Sequence, residues 1–164
     1  MGSVKLARVD ERLLHGQVMT NLSKSSGANA LFIVDDEVAK DDFMKTIFLS
    51  SGARTGLTVK IFSEAEAVKY WKEKEFEKYN AIVITKNIKT IYQIIKEGIP
   101  VKSLNLGGIA KRATTNFVIN AVAIDQPMAD MLKELNDDYG VTCYFQSVPS
   151  SQRVELADAL KNFK

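Results

Sequence analysis

The segment RVDERLLHGQV, residues 8 to 18, contains the only histidine of the 164-residue chain, His15, with Asp10, Arg12 and Gly16 close by and Arg8 just ahead. An imidazole with one nitrogen hydrogen-bonded to a carboxylate keeps a defined tautomer, and its other nitrogen is then free to act as nucleophile. Asp10 can supply that carboxylate. Arg8 and Arg12 add positive charge able to grip a phosphoryl group in bidentate fashion. Gly16 permits a tight reversal and close approach of backbone to a ligand. A helix starting near Gly16 and Gln17 would turn its unpaired N–H groups toward the same place. Together these residues specify a site for a phosphorylated histidine. The plain alternatives are a bystander imidazole and an Arg8 that merely pairs with Asp35 or Asp36.

The elements that must position this segment follow from hydrophobic pattern. Short apolar runs recur at residues 4–9, 30–35, 57–62, 81–85, 102–106, 117–124 and 141–146. Most are followed by a segment of helical period, which is the signature of parallel βα units. Several are apolar throughout, as strands covered on both faces should be. The expectation is a single α/β domain over residues 1–164: one doubly wound, mostly parallel open sheet of about seven strands with helices on both faces. Only about ten residues join the fifth and sixth runs, too few for a comfortable helical crossover, so one strand near that edge can run antiparallel.

The helices carry their own signals. Val18 and Leu22 would face inward from the first, and Phe43, Met44, Ile47 and Phe48 mark another. Ser63 with Glu66 forms a capping box. Asn87 can cap a helix whose Ile88, Ile91, Tyr92 and Ile95 share one face, with Gly98 as its end. Pro127 suits a first turn, and Gly140 a stop. In such sheets ligands bind beyond the carboxyl ends of the strands, which is where His15 falls.

Secondary candidates occupy two other strand ends. In VDDE, Asp35 and Asp36 are expected to orient Arg8 or Arg12, with cation binding and helix capping as the alternatives. In NLGG, Asn105, Gly107 and Gly108 could offer backbone N–H groups to a phosphate, or form a turn that needs positive φ. Lys111 and Arg112 read by default as a solvated loop, with contact to an acidic partner surface as the alternative, and Cys143 reads as a small buried hydrophobe.

Composition narrows the setting. Twenty-two Lys and Arg stand against twenty Asp and Glu, with no concentrated basic stripe, which argues against a nucleic-acid partner. No apolar run approaches the roughly 20 residues of a membrane-spanning helix, so no direct membrane insertion is expected. Charged residues interrupt the N-terminus where a secretory signal would need an apolar stretch, so a cytoplasmic location is expected. One cysteine and one histidine cannot build a structural zinc site of the usual kind.

RVDERLLHGQV closely resembles the opening signature of the IIB components of the mannose, fructose and sorbose family of the bacterial phosphoenolpyruvate-dependent sugar phosphotransferase system (PTS). With IVDDEVAKDDF and NLGG, the likeness covers essentially the whole chain. Asp10, Arg12, His15, Gly16 and Gln17 match residue by residue. The resemblance implies that His15 takes a phosphoryl group from the phosphohistidine of a IIA protein or domain. It would then pass the group to a hexose or amino sugar carried by the IIC and IID membrane components, at the inner face of the cell membrane. That is protein-Nπ-phosphohistidine–sugar phosphotransferase activity, with Nδ1 as the favoured atom. Positive side chains and N–H groups can neutralise the phosphate, so no metal and no cofactor is expected. Mannose, fructose, sorbose and N-acetylgalactosamine all remain open as the sugar, with a lean toward the last. The rival is a receiver-like module phosphorylated on Asp35 or Asp36, but the third strand ends IFSE without the Asp such a module needs. A nucleotide module is disfavoured by the lack of GxGxxG or GxxxxGK[ST].

Overall fold

A computed structural model describes residues 1–164, except for the side chains of Gln17 and Val18. The chain begins with β1 (Ser3–Asp10), whose apolar run enters the middle of a seven-stranded sheet. The strands β2 (Ala30–Val34), β3 (Thr58–Phe62), β4 (Asn80–Thr85), β5 (Ser103–Gly108), β8 (Thr142–Phe145) and β9 (Val154–Glu155) complete it in the order β3-β2-β4-β1-β5-β8-β9. All neighbours are parallel except β8 and β9.

Helices cover both faces, as the continuous apolar strands require. On one face, α1 (Gly16–Ser26), α2 (Asp36–Lys40) and α3 (Asp42–Ala53) bury Met19, Leu22, Val38 and Phe48 against Leu31, Ile33, Ile82 and Ile84. On the other, α4 (Glu64–Lys74), α5 (Ile88–Lys96), α6 (Gln126–Tyr139) and α7 (Leu156–Ala159) bury Ala67, Ile91, Ile94, Leu132, Leu135 and Leu156 against Val9, Phe32, Val83 and Leu104.

The helix signals read from sequence correspond to real boundaries. Ser63 and Glu66 form the capping box of α4, and Asn87 accepts from Thr90 N–H at the start of α5. Gly140 closes α6 in the left-handed conformation.

One expectation needs correction. The run 117–124 is not one strand of the sheet but a separate antiparallel hairpin, β6 (Asn116–Ile119) and β7 (Val122–Ile124), reversing through Asn120 and Ala121. The short link from β5 therefore leads into a hairpin, and the crossover to β8 is made by α6. The antiparallel strand expected near an edge is present: it is β9, beyond β8.

Side-chain alternation along β1 prepares the site. Ala7 and Val9 enter one core while Leu6 enters the other, so Arg8 and Asp10 lie on the α1 face. In register beside Arg8 stand Asn105 on β5 and, beyond it, Tyr144 on β8. The central strands thus carry a polar row on a face that is otherwise apolar.

Candidate functional site

The chain leaves β1 through a tight turn in which Leu13 N–H donates to the Asp10 carbonyl at 2.9 Å. Leu13 then adopts φ 57°, uncommon for a residue with a side chain. Its complete burial, with Leu14 packed beside it, holds the strained turn in place. His15 follows in extended conformation at the N-cap of α1, and Gly16 takes φ 52° to enter the helix.

Asp10 is the hub of the site. It is fully buried, and its carboxylate accepts five hydrogen bonds from the described residues. Oδ1 receives Arg12 N–H at 3.0 Å and Arg12 Nε–H at 3.1 Å. Oδ2 receives Arg12 Nη2 at 3.1 Å, Arg8 Nη2 at 3.0 Å and His15 Nε2 at 2.9 Å. Burial pushes the Asp10 carboxyl up. The hydrogen bonds from Arg12 and His15 and the charge of Arg8 more than offset that and hold it below the usual carboxylate range. An ionised carboxylate only accepts hydrogen bonds, so the imidazole nitrogen facing it carries the proton. In the neutral ring, Nδ1 is then the nitrogen with a bare lone pair.

The His15 side chain is 22% exposed. It lines a cleft of about 680 Å³ between α1 and the C-terminal end of α3, shared with Gly16, Thr20, Asn21, Lys24, Ser51, Arg54 and Thr55. The first turn of α1 leaves N–H groups without helical partners next to His15. Arg12 lies 59% exposed beside Asp10. An anionic oxygen cluster placed beside His15 would meet positive potential from a helix terminus and a guanidinium.

The structure brings together Asp10, Arg12, His15 and Gly16; Gln17 belongs to the side chains outside the described residues. Arg8 is present but not placed to touch a phosphate. It is fully buried, and it donates to Asn105 Oδ1, Asp10 Oδ2 and, at 2.8 Å, the Ser147 carbonyl. Nor does it pair with Asp35 or Asp36. Asp35 Oδ1 instead caps α2 through Val38 N–H at 2.9 Å, and Asp36 Oδ1 accepts Glu64 N–H at 2.8 Å. The arginine-orienting role expected of that pair belongs to Asp10, two residues from Arg8 on one side and from Arg12 on the other.

Asn105, Gly107 and Gly108 also have a different task. Neither glycine has positive φ, and both lie within β5. A Cβ on Gly107 would stand 2.1 Å from Arg8 Cζ, and one on Gly108 would stand 2.7 Å from Asp10 Oδ1. The glycines make room for the buried ion pair. Asn105 receives the Arg8 guanidinium and donates to the Gln146 carbonyl at 2.9 Å.

Several contributors lay beyond the sequence reading. Glu11 holds Arg112 through a 2.6 Å ion pair and accepts Ala110 N–H at 3.2 Å, which ties the loop after β5 to the site loop. Lys24 lies eight residues from Gly16, so helical period could have placed it on the same face. Arg54 and Ser147 carry no local signal.

Comparison with known proteins identifies the family. Residues 4–164 match the family model for the PTS system sorbose subfamily IIB component. The sorbose-specific EIIB component of Lacticaseibacillus casei is 34% identical over 133 residues, 81% of this chain and 80% of that protein. The mannose-specific EIIAB component of Escherichia coli is 28% identical over 96% of this chain, which spans 48% of that longer protein. Among solved structures, manxB from Thermoanaerobacter tengcongensis superposes with a TM-score of 0.92 at 34% identity, covering 99% of this chain and 97% of that one. The IIBSor domain of the sorbose permease from Klebsiella pneumoniae gives 0.87 at 28% identity, covering 97% and 96%. A family match over nearly the full length, carried on the same fold, shows that the chain belongs to the sorbose subfamily of PTS IIB components.

Proposed function

We propose that His15 is a phosphoryl carrier, taking the group from the phosphohistidine of a IIA protein or domain and giving it to a sugar. The observation that carries this reading is the 2.9 Å contact from His15 Nε2 to Asp10 Oδ2, which reserves Nδ1 for attack. In the first step the Nδ1 lone pair forms a bond to phosphorus while the donor's P–N bond breaks, its electron pair returning to the donor ring. In the second, a sugar hydroxyl oxygen bonds to phosphorus, the P–N bond to His15 breaks back to Nδ1, and the hydroxyl proton is released. While Nδ1 is bonded to phosphorus and Nε2 keeps its proton, the ring gains cationic character that Asp10 stabilises. Arg12 and the first turn of α1 offset the charge of the moving PO₃ group, and such transfers need positioning and charge neutralisation more than bond-making machinery.

The fused EIIAB relative supports a IIA donor, which would dock over the cleft beside His15. The IIC and IID membrane components would present the sugar, a hexose or amino sugar, placing this protein at the cytoplasmic face of the membrane. Relatives named for sorbose, fructose and N-acetylgalactosamine bracket the sugar class. Incubation with phosphoenolpyruvate, the general phosphocarriers and a IIA protein tests the reading. Acid-labile, base-stable phosphate on His15, absent in His15→Ala, is expected. Label retained by His15→Ala, or acyl phosphate on Asp35 or Asp36, would overturn it.

A further inference from the structure

We infer that Arg8 is a positioning residue for phosphoryl transfer, acting through Asp10 to hold the His15 imidazole, and that Asn105, Gly107 and Gly108 form the socket that fixes it. The inference rests on His15 being the acceptor. Arg8 Nη2 and His15 Nε2 meet the same carboxylate oxygen, Oδ2 of Asp10, at 3.0 and 2.9 Å. Arg12 also contacts that carboxylate, but from solvent, where water and ions compete for it. Arg8 is the one cation holding Asp10 from inside the protein among the described residues.

The socket restrains the guanidinium from several sides. Asn105 takes Nη1, the Ser147 carbonyl takes Nη2, and the bare backbone of Gly107 lies where a Cβ would strike Cζ. This planar, three-sided fit requires arginine rather than lysine. It is also a costly way to gain stability. Buried ion pairs stabilise little relative to apolar residues of similar volume, and here Nε is buried with no hydrogen-bond partner among the described residues. What the arrangement does supply is a carboxylate that cannot rotate. Oδ2 stays aimed at Nε2, and Nδ1 regains its bare lone pair each time the phosphoryl group leaves.

Because His15 is the only histidine of the 164-residue chain, its imidazole nitrogens can be read by ¹⁵N NMR without assignment. The native protein should show two well-separated signals, a protonated Nε2 and a bare Nδ1. Arg8→Met should draw the two signals together and slow acceptance from phosphorylated IIA by roughly 10- to 100-fold, the worth of one charge-assisted hydrogen bond. KM for the donor should hold. Arg8→Lys should recover part of the rate. Should Arg8→Met fail to fold, Asn105→Ala keeps the charge and loosens the socket, with about a threefold or greater loss of rate and the same convergence of signals expected. Native rate in the folded variant, or a slower rate with unmoved imidazole signals, would overturn the inference. Failure of the native protein to label on His15 would instead overturn the transfer reading, and the NMR signals would still decide the role of Arg8.

Discussion

Replacing Gly107 by alanine adds a single methyl group at the point where β5 lies flat against the Arg8 guanidinium. The new Cβ would stand 2.1 Å from Cζ, 2.3 Å from Nη2 and 2.5 Å from Nη1. Unstrained contacts between such atoms fall near 3.5–4.0 Å, so the guanidinium must move by more than about 1 Å. On an exposed arginine that displacement would be cheap. Here the group is buried and tied to Asn105, Asp10 and Ser147, so moving it breaks hydrogen bonds to a charge. Overpacking costs about 1–3 kcal/mol, and losing two charged hydrogen bonds costs about 1.5–3 kcal/mol each. Removing a flexible glycine from a strand returns up to about 1 kcal/mol. The expected net loss is about 3–8 kcal/mol, a large part of the roughly 5–15 kcal/mol that keeps a domain folded. Urea denaturation measures it directly. Repeating the substitution in an Arg8→Met background isolates the cause, because without the guanidinium the methyl has space and the two changes should be strongly non-additive. A loss below about 1 kcal/mol, or an equal loss in both backgrounds, would refute the argument.

Two further outcomes follow from the same geometry. The folded-state pKa of Asp10 lies below its unfolded value. The stability it contributes is therefore complete above about pH 5 and is lost as pH falls through the folded value. Asp10→Asn should flatten the fall in unfolding free energy between about pH 5 and 3, and an unchanged slope there would contradict the network. Lys24 and Arg54 line the His15 cleft with no carboxylate among the lining residues. Reversing both to Glu should raise KM for phosphorylated IIA by roughly tenfold or more, less at high salt, with kcat little changed; a salt-independent or absent effect would place the donor elsewhere.

How far the sequence reached depends on the range of each interaction. His15, Asp10 and Arg12 lie within one turn-forming segment, so their residue types and spacing nearly determine their encounter. Capping signals at Ser63, Asn87 and Gly140 are equally local and were legible for the same reason. The hairpin at residues 116–124 was not, because an apolar run looks continuous until Asn120 and Ala121 are seen to reverse it. Strand β9 has only two residues, too few for any period.

Arg8 shows the limit most clearly. Strand alternation correctly puts it on the face of Asp10, but alternation cannot say whether that face is open to a ligand or closed by β5. Closure depends on Asn105 and Gly107, about a hundred residues away, and no local pattern joins them to residue 8. Read alone, a glycine pair after a strand suggests a turn or a phosphate cradle. Placed against Arg8 and Asp10, the same pair is the absence of two side chains that a buried ion pair needs. That absence lets the central strand carry a charge inward as well as outward: the inner charge fixes the carboxylate, and the carboxylate fixes the ring at the surface. On the proposed transfer reading, a histidine that must release its phosphoryl group as readily as it accepts it depends on being returned to one tautomer each time, and that requirement reaches through the sheet to Gly107 and Gly108.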